Sequence, residues 1–187
     1  MKLQKLVRNL SIFKIILFSS ILFLNINPYT SGEVQAGLEF QWDNNEYYRK
    51  LKWFQKDNER RRRNTIFFFL RPSDRKTGLI KINMKLPKGF SDFSAEDFSL
   101  CRVRIGGYQS RTKCLESLPS DVEIDKENNS VNIFPYSPVP SNKESYSVVF
   151  KTINPRRTGL YQFHSHGQAS GSIPVSRYLG SYTIVID

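Results

Sequence analysis

The 187-residue chain has only two histidines and two cysteines, and it lacks the sequence patterns that accompany catalysis. Gly167-Gln168-Ala169-Ser170-Gly171 has its serine one place too late for the nucleophile elbow of hydrolases. A phosphate-cradling glycine loop is also absent. The acidic residues are scattered through segments that we interpret as loops, where solvation explains them: Asp92, Glu96, Asp97, Asp121, Glu123, Asp125 and Glu127. We therefore expect a protein without catalytic residues and without a cofactor.

A long uncharged apolar run is missing too, because residues 15–24 span about ten residues where a membrane helix needs roughly 20. Residues 1–36 instead have the layout of an export signal, with Lys2, Lys5 and Arg8 before the apolar stretch and Ala36 at its end. Cleavage is expected before Gly37, with an earlier cut near Gly32 and a retained membrane anchor as alternatives. Export predicts the periplasm or the cell exterior.

Basic residues exceed acidic ones by 28 to 17, which gives a formal net charge of +11. Loss of residues 1–36 removes four basic residues and one acidic residue, so the charge falls to +8. The remaining chain of about 150 residues fits one domain. Outside the cytosol, this excess predicts an anionic envelope polymer or a membrane surface as partner, and it excludes nucleic acid.

Residues 37–63 form a basic, aromatic segment ahead of the main domain. Tyr47, Tyr48, Leu51 and Phe54 recur at helical spacing, which favours a short amphipathic helix over an extended arm. We expect the run from 60 to 63 to be a solvated arginine loop. A specific contact with a polyanion is the alternative, because four adjacent guanidinium groups repel one another unless they are solvated or neutralised.

Residues 64–187 show the alternation and the β-branched and aromatic residues of strands. The predicted strands are 65–70, 79–86, 131–133, 145–153, 160–164 and 182–186, with a hairpin between Cys101 and Cys114. Turns rich in glycine, proline and asparagine separate them. About eight short strands without a helical pattern predict an immunoglobulin-like antiparallel β-sandwich rather than a barrel.

The segment from Cys101 to Cys114 predicts a disulfide-bonded hairpin. If Gly107-Tyr108 forms a two-residue turn, counting outward along the strands places Cys101 directly opposite Cys114. Opposed residues in an antiparallel pair lie about 4.5 or 5.5 Å apart, which suits a disulfide. A turn centred on Gly106-Gly107 would shift this pairing, and two reduced buried thiols are the alternative to a bridge.

The same register gathers four cations on the hairpin face that points away from the cysteines. It places Arg102 opposite Lys113 and Arg104 opposite Arg111. Like charges directly across a strand pair are unfavourable, so the patch is either solvated or occupied by an anion. We therefore take these four residues as a candidate anion-binding site.

His164 and His166 lie one residue apart at the end of a predicted strand, so both imidazoles point to one side. Copper or zinc can use this spacing, but two ligands are too few for a site. A polar strand end without a metal is the simpler interpretation. The pair remains a candidate for a metal-binding or carrier module.

Several motifs in the C-terminal third occur in an order that resembles one known family. They are Ile153-Asn154-Pro155, Gly159-Leu160-Tyr161-Gln162-Phe163, Ile173-Pro174, and the run from Tyr178-Leu179-Gly180 to Ile184. Upstream, Phe67-Phe68-Phe69, Leu86-Pro87 and the segment 131–140 fit the same pattern. The chain resembles the DUF2808 family of exported cyanobacterial proteins over about residues 37–187.

The resemblance implies an exported sandwich of a cyanobacterial envelope and no established activity. Its motifs are turn- and strand-forming residues rather than catalytic groups. His164, His166, Cys101 and Cys114 depart from the family pattern. We therefore expect a non-catalytic envelope protein that is structural or binds anionic polymers. A periplasmic metal-binding or carrier module that uses the two histidines is the alternative.

Overall fold

Two antiparallel five-stranded sheets form the molecule in the computed structural model, which describes residues 49–108, 110–171 and 175–187. The strands are β1 (Trp53–Gln55), β2 (Arg63–Leu70), β3 (Leu79–Lys85), β4 (Phe98–Arg104), β5 (Lys113–Leu118), β6 (Ser120–Asp125), β7 (Ser130–Pro135), β8 (Tyr146–Ile153), β9 (Gly159–Ala169) and β10 (Ser176–Ile186). Two 3₁₀ turns, Pro72–Asp74 and Ala95–Asp97, complete the described elements. The predicted export signal lies outside the described residues.

Strand order confirms the predicted sandwich, with ten described strands instead of about eight. The first sheet has the order β1-β2-β8-β4-β5, and the second has the order β10-β9-β3-β7-β6. Every pairing between these strands is antiparallel. Within the described ranges, no helix has the length and apolar character that a membrane crossing requires.

Aromatic side chains fill the space between the sheets. Phe68 lies at the centre, with its ring centroid 4.8 Å from those of both Phe163 and Tyr182. All three side chains are buried, and each fully buried aromatic stabilises the fold by roughly 1.5–3 kcal/mol. The Tyr182 hydroxyl donates a hydrogen bond to the carbonyl of Phe69, and burial raises the pKa of Tyr182 well above its usual range.

Strand β2 is apolar on both faces, which explains its unbroken run of hydrophobic residues. Ile66, Phe68 and Leu70 point into the main core. The alternate side chains form a second buried cluster on the other face of the sheet, composed of Phe67, Phe69, Cys101, Val103 and Val149. A strand that is covered on both sides does not show polar alternation.

The prediction of a helix in the basic segment is wrong for its described part. Strand β1 pairs antiparallel with β2, and Trp53 lies opposite Phe68. Leu51 is fully buried in the core, and its amide donates a hydrogen bond to the carbonyl of Ser181 in β10 (2.8 Å). Residues 49–55 are extended because both sheets offer them backbone partners, which outweigh a weak helical spacing.

Three of the acidic residues assigned to loops lie instead on a strand. Asp121, Glu123 and Asp125 alternate along β6 with Val122 and Ile124, which pack against the core. This edge strand pairs only with β7 among the described strands. Its outward carboxylates are typical of the charged residues that protect a sheet edge from further pairing.

The predicted disulfide between Cys101 and Cys114 is present, with a Cα–Cα distance of 5.7 Å. The predicted register is wrong, because the turn begins one residue later. Gly107 and Ser110 exchange backbone hydrogen bonds of 2.9 and 3.4 Å, so the turn lies between them. Cys114 consequently faces Val103 instead of Cys101.

A β-bulge accounts for the remaining difference in this hairpin. The register shifts between Arg102 and Val103, so Arg102 faces Glu116 and Cys101 faces Ser117. The two cysteines are therefore diagonal neighbours on one face rather than direct partners. A bulge inserts one extra residue into a strand, and nothing in the sequence from 101 to 114 announces it.

Candidate functional site

One end of the sandwich brings together two arginine groups that are far apart in the sequence. The Arg61 amide donates hydrogen bonds to the carbonyls of Asn154 (3.1 Å) and Pro155 (3.3 Å). In return, the Asn154 amide donates to the carbonyl of Arg62 (2.8 Å). These contacts hold the 60–63 loop against residues 154–157, and we call the combined surface the arginine-rich end.

Two buried asparagine side chains fix the position of this loop. The side-chain amide of Asn64 donates a hydrogen bond to the side-chain carbonyl of Asn154 (2.9 Å). The side-chain amide of Asn154 in turn donates to the backbone carbonyls of Asp57 (3.2 Å) and Glu59 (2.7 Å). Both asparagines are buried, so every one of these bonds is costly to break. The loop is therefore held in place by the fold.

Arg61 has a left-handed backbone conformation, with a φ of 60°. This region is uncommon for residues other than glycine, and strained residues cluster at functional sites. Its side chain is exposed, so burial does not compensate the strain. The chain keeps an arginine at a position where glycine would fit the backbone better.

Five exposed arginines of this end make no ion pair with a described carboxylate: Arg60, Arg61, Arg63, Arg156 and Arg157. Arg62 differs from them, because it contacts Glu59 at 3.0 Å and Asp57 at 3.9 Å. Unpaired guanidinium groups keep their positive field and their hydrogen-bond donors available to a ligand.

A recess of about 590 Å³ opens beside three of these arginines. Arg61, Arg156 and Arg157 line it, together with one carboxylate, Asp92, and the ring of Tyr161. The Tyr161 hydroxyl donates a hydrogen bond to the carbonyl of Arg157 (2.7 Å), which ties the second arginine group to β9. The recess is therefore cationic, concave and built on fixed backbone.

A second recess of about 520 Å³ adjoins the first, and both are lined by Asp92 and Ile153. Its walls carry the hydroxyl groups of Ser94 and Thr152 beside two basic residues, Arg63 and Lys151, and two acidic ones, Asp92 and Asp97. The two recesses together form an open, polar surface at one end of the sandwich. An extended polymer could contact both, whereas a small ion would need only one.

The structure places the four predicted cations of the hairpin in different environments. Arg102 is held by two carboxylates, Glu116 at 3.1 Å and Glu144 at 2.9 Å, and these bonds raise its pKa further. Arg104 lies opposite Lys113 instead of Arg111. The expected pairings are therefore wrong, and Arg102 is neutralised within the protein.

His164 and His166 lie on one face of β9, as predicted from alternation, and that face is opposite to the one on which Phe163 enters the core. His164 Nδ1 lies 2.8 Å from the hydroxyl of Ser181, and Ser181 is completely buried. A buried hydroxyl is not offered to a substrate, so this contact does not form a nucleophilic dyad. Burial lowers the pKa of both histidines, and for His164 the nearby His166 and Lys85 lower it further.

His166 has one unsatisfied ring nitrogen. Its Nδ1 is buried without a hydrogen-bond partner in the described part of the chain, and its ring lies 5.4 Å from that of Tyr178. Across the described ranges, no three residues among histidine, cysteine, aspartate and glutamate are grouped as metal ligands. The two histidines alone do not provide a coordination set.

The sequence profile of a family described as "Protein of unknown function (DUF2808)" matches residues 41–186. The chain belongs to this family. The resemblance to DUF2808 that the sequence motifs indicated is thereby confirmed. No curated protein sequence matches the chain.

Several solved structures are similar to this DUF2808 chain. A collagen-binding domain from a Staphylococcus aureus adhesin shares 12% identity with a TM-score of 0.39, over 72% of this chain and 95% of that one. BslA, a bacterial hydrophobin, shares 16% identity with a TM-score of 0.46, over 74% and 97%. The collagen-binding subdomain of the Enterococcus faecalis surface protein ACE shares 12% identity with a TM-score of 0.39, over 71% and 95%.

The DUF2808 motifs occupy structural positions, as their chemistry predicts. Asn154 holds the arginine loop, and Gly159 opens β9 with a φ of 147°. Gly180 lies at a bulge of β10 with a φ of 145°, where a Cβ atom would lie 2.5 Å from the carbonyl of Arg49. The clustering of Arg61 with Arg156 and Arg157 was missed, because only the fold brings residues so far apart in sequence together.

Proposed function

We propose that the chain is an exported, non-catalytic binding protein of the cell envelope, and that its arginine-rich end holds anionic polymers. One observation carries this proposal: three exposed arginines without a described carboxylate partner, Arg61, Arg156 and Arg157, line a concave recess. Guanidinium groups bind carboxylates and phosphates with paired hydrogen bonds, which makes them suitable contacts for an acidic chain.

The charge of the whole protein supports a polymer rather than a single small anion. The formal charge of +8 that remains after loss of residues 1–36 attracts polyanions over distances of about 10 Å at moderate salt. Two adjoining recesses, one lined by three arginines and the other by Arg63, Lys151 and the hydroxyl groups of Ser94 and Thr152, offer contacts to successive units of a polysaccharide. An acidic polysaccharide carries both kinds of group, so it is the polymer class that we favour.

The test measures binding of the full chain to immobilised polygalacturonate at increasing salt. We expect retention that moderate salt abolishes, because exposed charges are screened. The triple variant Arg61→Gly, Arg156→Ser and Arg157→Ser should bind more weakly by up to about fivefold per arginine, the range of exposed ion pairs. Each of the three side chains is exposed, so the fold should survive.

A matched control is Arg62→Ser, because Arg62 lies in the same loop but is already paired with Glu59 and Asp57. Its affinity should remain close to that of the unmodified chain. A loss in the Arg62 variant that equals the loss per arginine in the triple variant would show that net charge alone governs retention. Unchanged affinity of the triple variant would refute the proposed site.

A further inference from the structure

We propose that the tip of the β4–β5 hairpin docks on an anionic lipid bilayer. The hairpin tip comprises residues 104–108 and 110–113. It projects from the sandwich as an exposed turn that carries apolar and cationic side chains together. This surface is separate from the arginine-rich end, so the inference stands without the proposed function.

The apolar part of the tip, Ile105 and Tyr108, is exposed to solvent instead of packing against the sandwich. Tyr108 is fully exposed, at 105% of its reference area, and Ile105 is 37% exposed. Tyrosine rings favour the interface between membrane and water, because one side is apolar and the hydroxyl remains hydrated. A soluble anionic polymer could bind the nearby cations. Its binding would not account for the exposure of Tyr108 and Ile105 beside them.

The cationic part of the tip is unneutralised. Arg104 lies opposite Lys113, and neither these two nor Arg111 makes an ion pair with a carboxylate in the described ranges. The sequence from 102 to 115 contains no acidic residue. Like charges across a strand pair are destabilising, so a negatively charged surface beside them would relieve the repulsion. Anionic headgroups provide that surface.

The tip is rigid before it meets a membrane. The Cys101–Cys114 disulfide joins the two strands at its base. The Gly106 amide donates a hydrogen bond to the Thr112 hydroxyl (2.9 Å), and a Cβ atom on Gly106 would lie 2.6 Å from the Thr112 nitrogen. The absence of a side chain at Gly106 therefore lets the two strands of the hairpin approach each other closely. A preformed tip loses less conformational entropy when it binds than a flexible loop would.

The tip and the arginine-rich end lie at opposite ends of the first sheet. Strand β8 begins at Tyr146, which faces Arg102 of the hairpin, and ends at Ile153, which faces Arg63. Eight residues of antiparallel strand span roughly 24 Å. Docking of the tip would therefore leave the arginine-rich end free to face away from the bilayer.

Local insertion of the tip can be measured with Tyr108→Trp in a full chain whose native Trp42 and Trp53 are replaced by phenylalanine, so that the emission comes from the introduced residue alone. The vesicles are phosphatidylcholine with and without phosphatidylglycerol. Bilayer contact predicts a blue-shifted emission and quenching by brominated lipid only when phosphatidylglycerol is present. The control is Tyr136→Trp, because Tyr136 is also exposed (69%) but lies outside the hairpin. All variants carry residues 1–36, so any membrane contact of that segment is common to them.

The contribution of each part of the tip is measured by vesicle co-sedimentation. Arg104→Ser with Arg111→Ser should weaken binding to phosphatidylglycerol vesicles roughly 30-fold, because each cation near an anionic surface contributes about fivefold. Ile105→Ser with Tyr108→Ser should also weaken binding. Arg156→Ser with Arg157→Ser should leave vesicle binding unchanged, although it weakens polygalacturonate binding.

Three results would overturn the inference. They are an unshifted Tyr108→Trp emission, equal binding to neutral vesicles, and undiminished binding of both tip variants. Because the polymer test and the vesicle test use different variants, failure of one leaves the other interpretable.

Discussion

Individual side chains divide the described arginines into two groups. Arg49 and Arg71 share the buried carboxylate of Asp74, and Arg75 is itself buried against backbone carbonyls and the ring of Tyr146. These residues connect loops and stabilise the fold. Most exposed arginines without a described carboxylate partner lie at two places instead, the arginine-rich end and the hairpin tip, and Arg177 on β10 is the exception. This division could not be predicted from the sequence, because an ion pair depends on which strands become neighbours.

The two histidines predict how stability depends on pH. In the unfolded chain a histidine titrates near 6.5, whereas in the folded protein burial lowers both pKa values. Between the folded and unfolded pKa values the unfolded state binds more protons, so acidification through this window destabilises the fold. We expect the free energy of unfolding, measured with urea, to fall as the pH decreases from about 6.5 toward the lowered values.

The matched variant is His164→Gln with His166→Gln, which removes both titrating groups. Its unfolding free energy should depend less on pH in the same window. An identical pH dependence in the two proteins would contradict the attribution of this dependence to His164 and His166. The carboxylates titrate at lower pH and should affect both proteins equally.

At the level of strands, the sequence predicted those elements whose side chains alternate or form a continuous apolar run. Strands β2, β3, β7 and β8 and the cysteine hairpin fall where they were expected, whereas β9 and β10 are longer than the predicted 160–164 and 182–186. Strand β1 was missed because its aromatics also fit a helical spacing, and β6 because its carboxylates suggested loops. The hairpin register was wrong because a bulge leaves no mark on the pattern of residues.

The docking of residues 49–51 on β10 depends on Gly180. Its φ of 145° is adopted almost solely by glycine, and an added Cβ atom would lie 2.7 Å from Leu51 Cγ and 2.5 Å from the Arg49 carbonyl. Gly180→Ala should therefore lower the free energy of unfolding by about 3 kcal/mol, combining backbone strain with the loss of Leu51 packing. Urea denaturation measures this difference.

Gly171→Ala is the control, because Gly171 has open space around its Cα and no positive φ. Its stability should stay within about 0.5 kcal/mol of the unmodified chain. Equal stability of the two variants would show that β10 tolerates a side chain at the bulge. In that case the close approach of residues 49–51 would not explain the glycine.

For the whole molecule, the two ends of the sandwich carry different chemistry. One end presents unpaired arginines around a recess, and the other presents a disulfide-bonded tip with an exposed tyrosine. The apolar core between them holds these surfaces apart and contributes no reactive group to either. Our account is that the fold serves as a rigid spacer with binding surfaces at its ends.

The central claim is that an anionic polymer binds at the arginine-rich end. The most direct measurement is an NMR titration of the ¹⁵N-labelled full chain with oligogalacturonate, observing backbone amides. We predict the largest shifts at residues 60–63, Asn154, Arg156 and Arg157, with saturation that added salt reverses. Shifts confined to the hairpin residues 102–113, or no saturable shifts, would contradict the account.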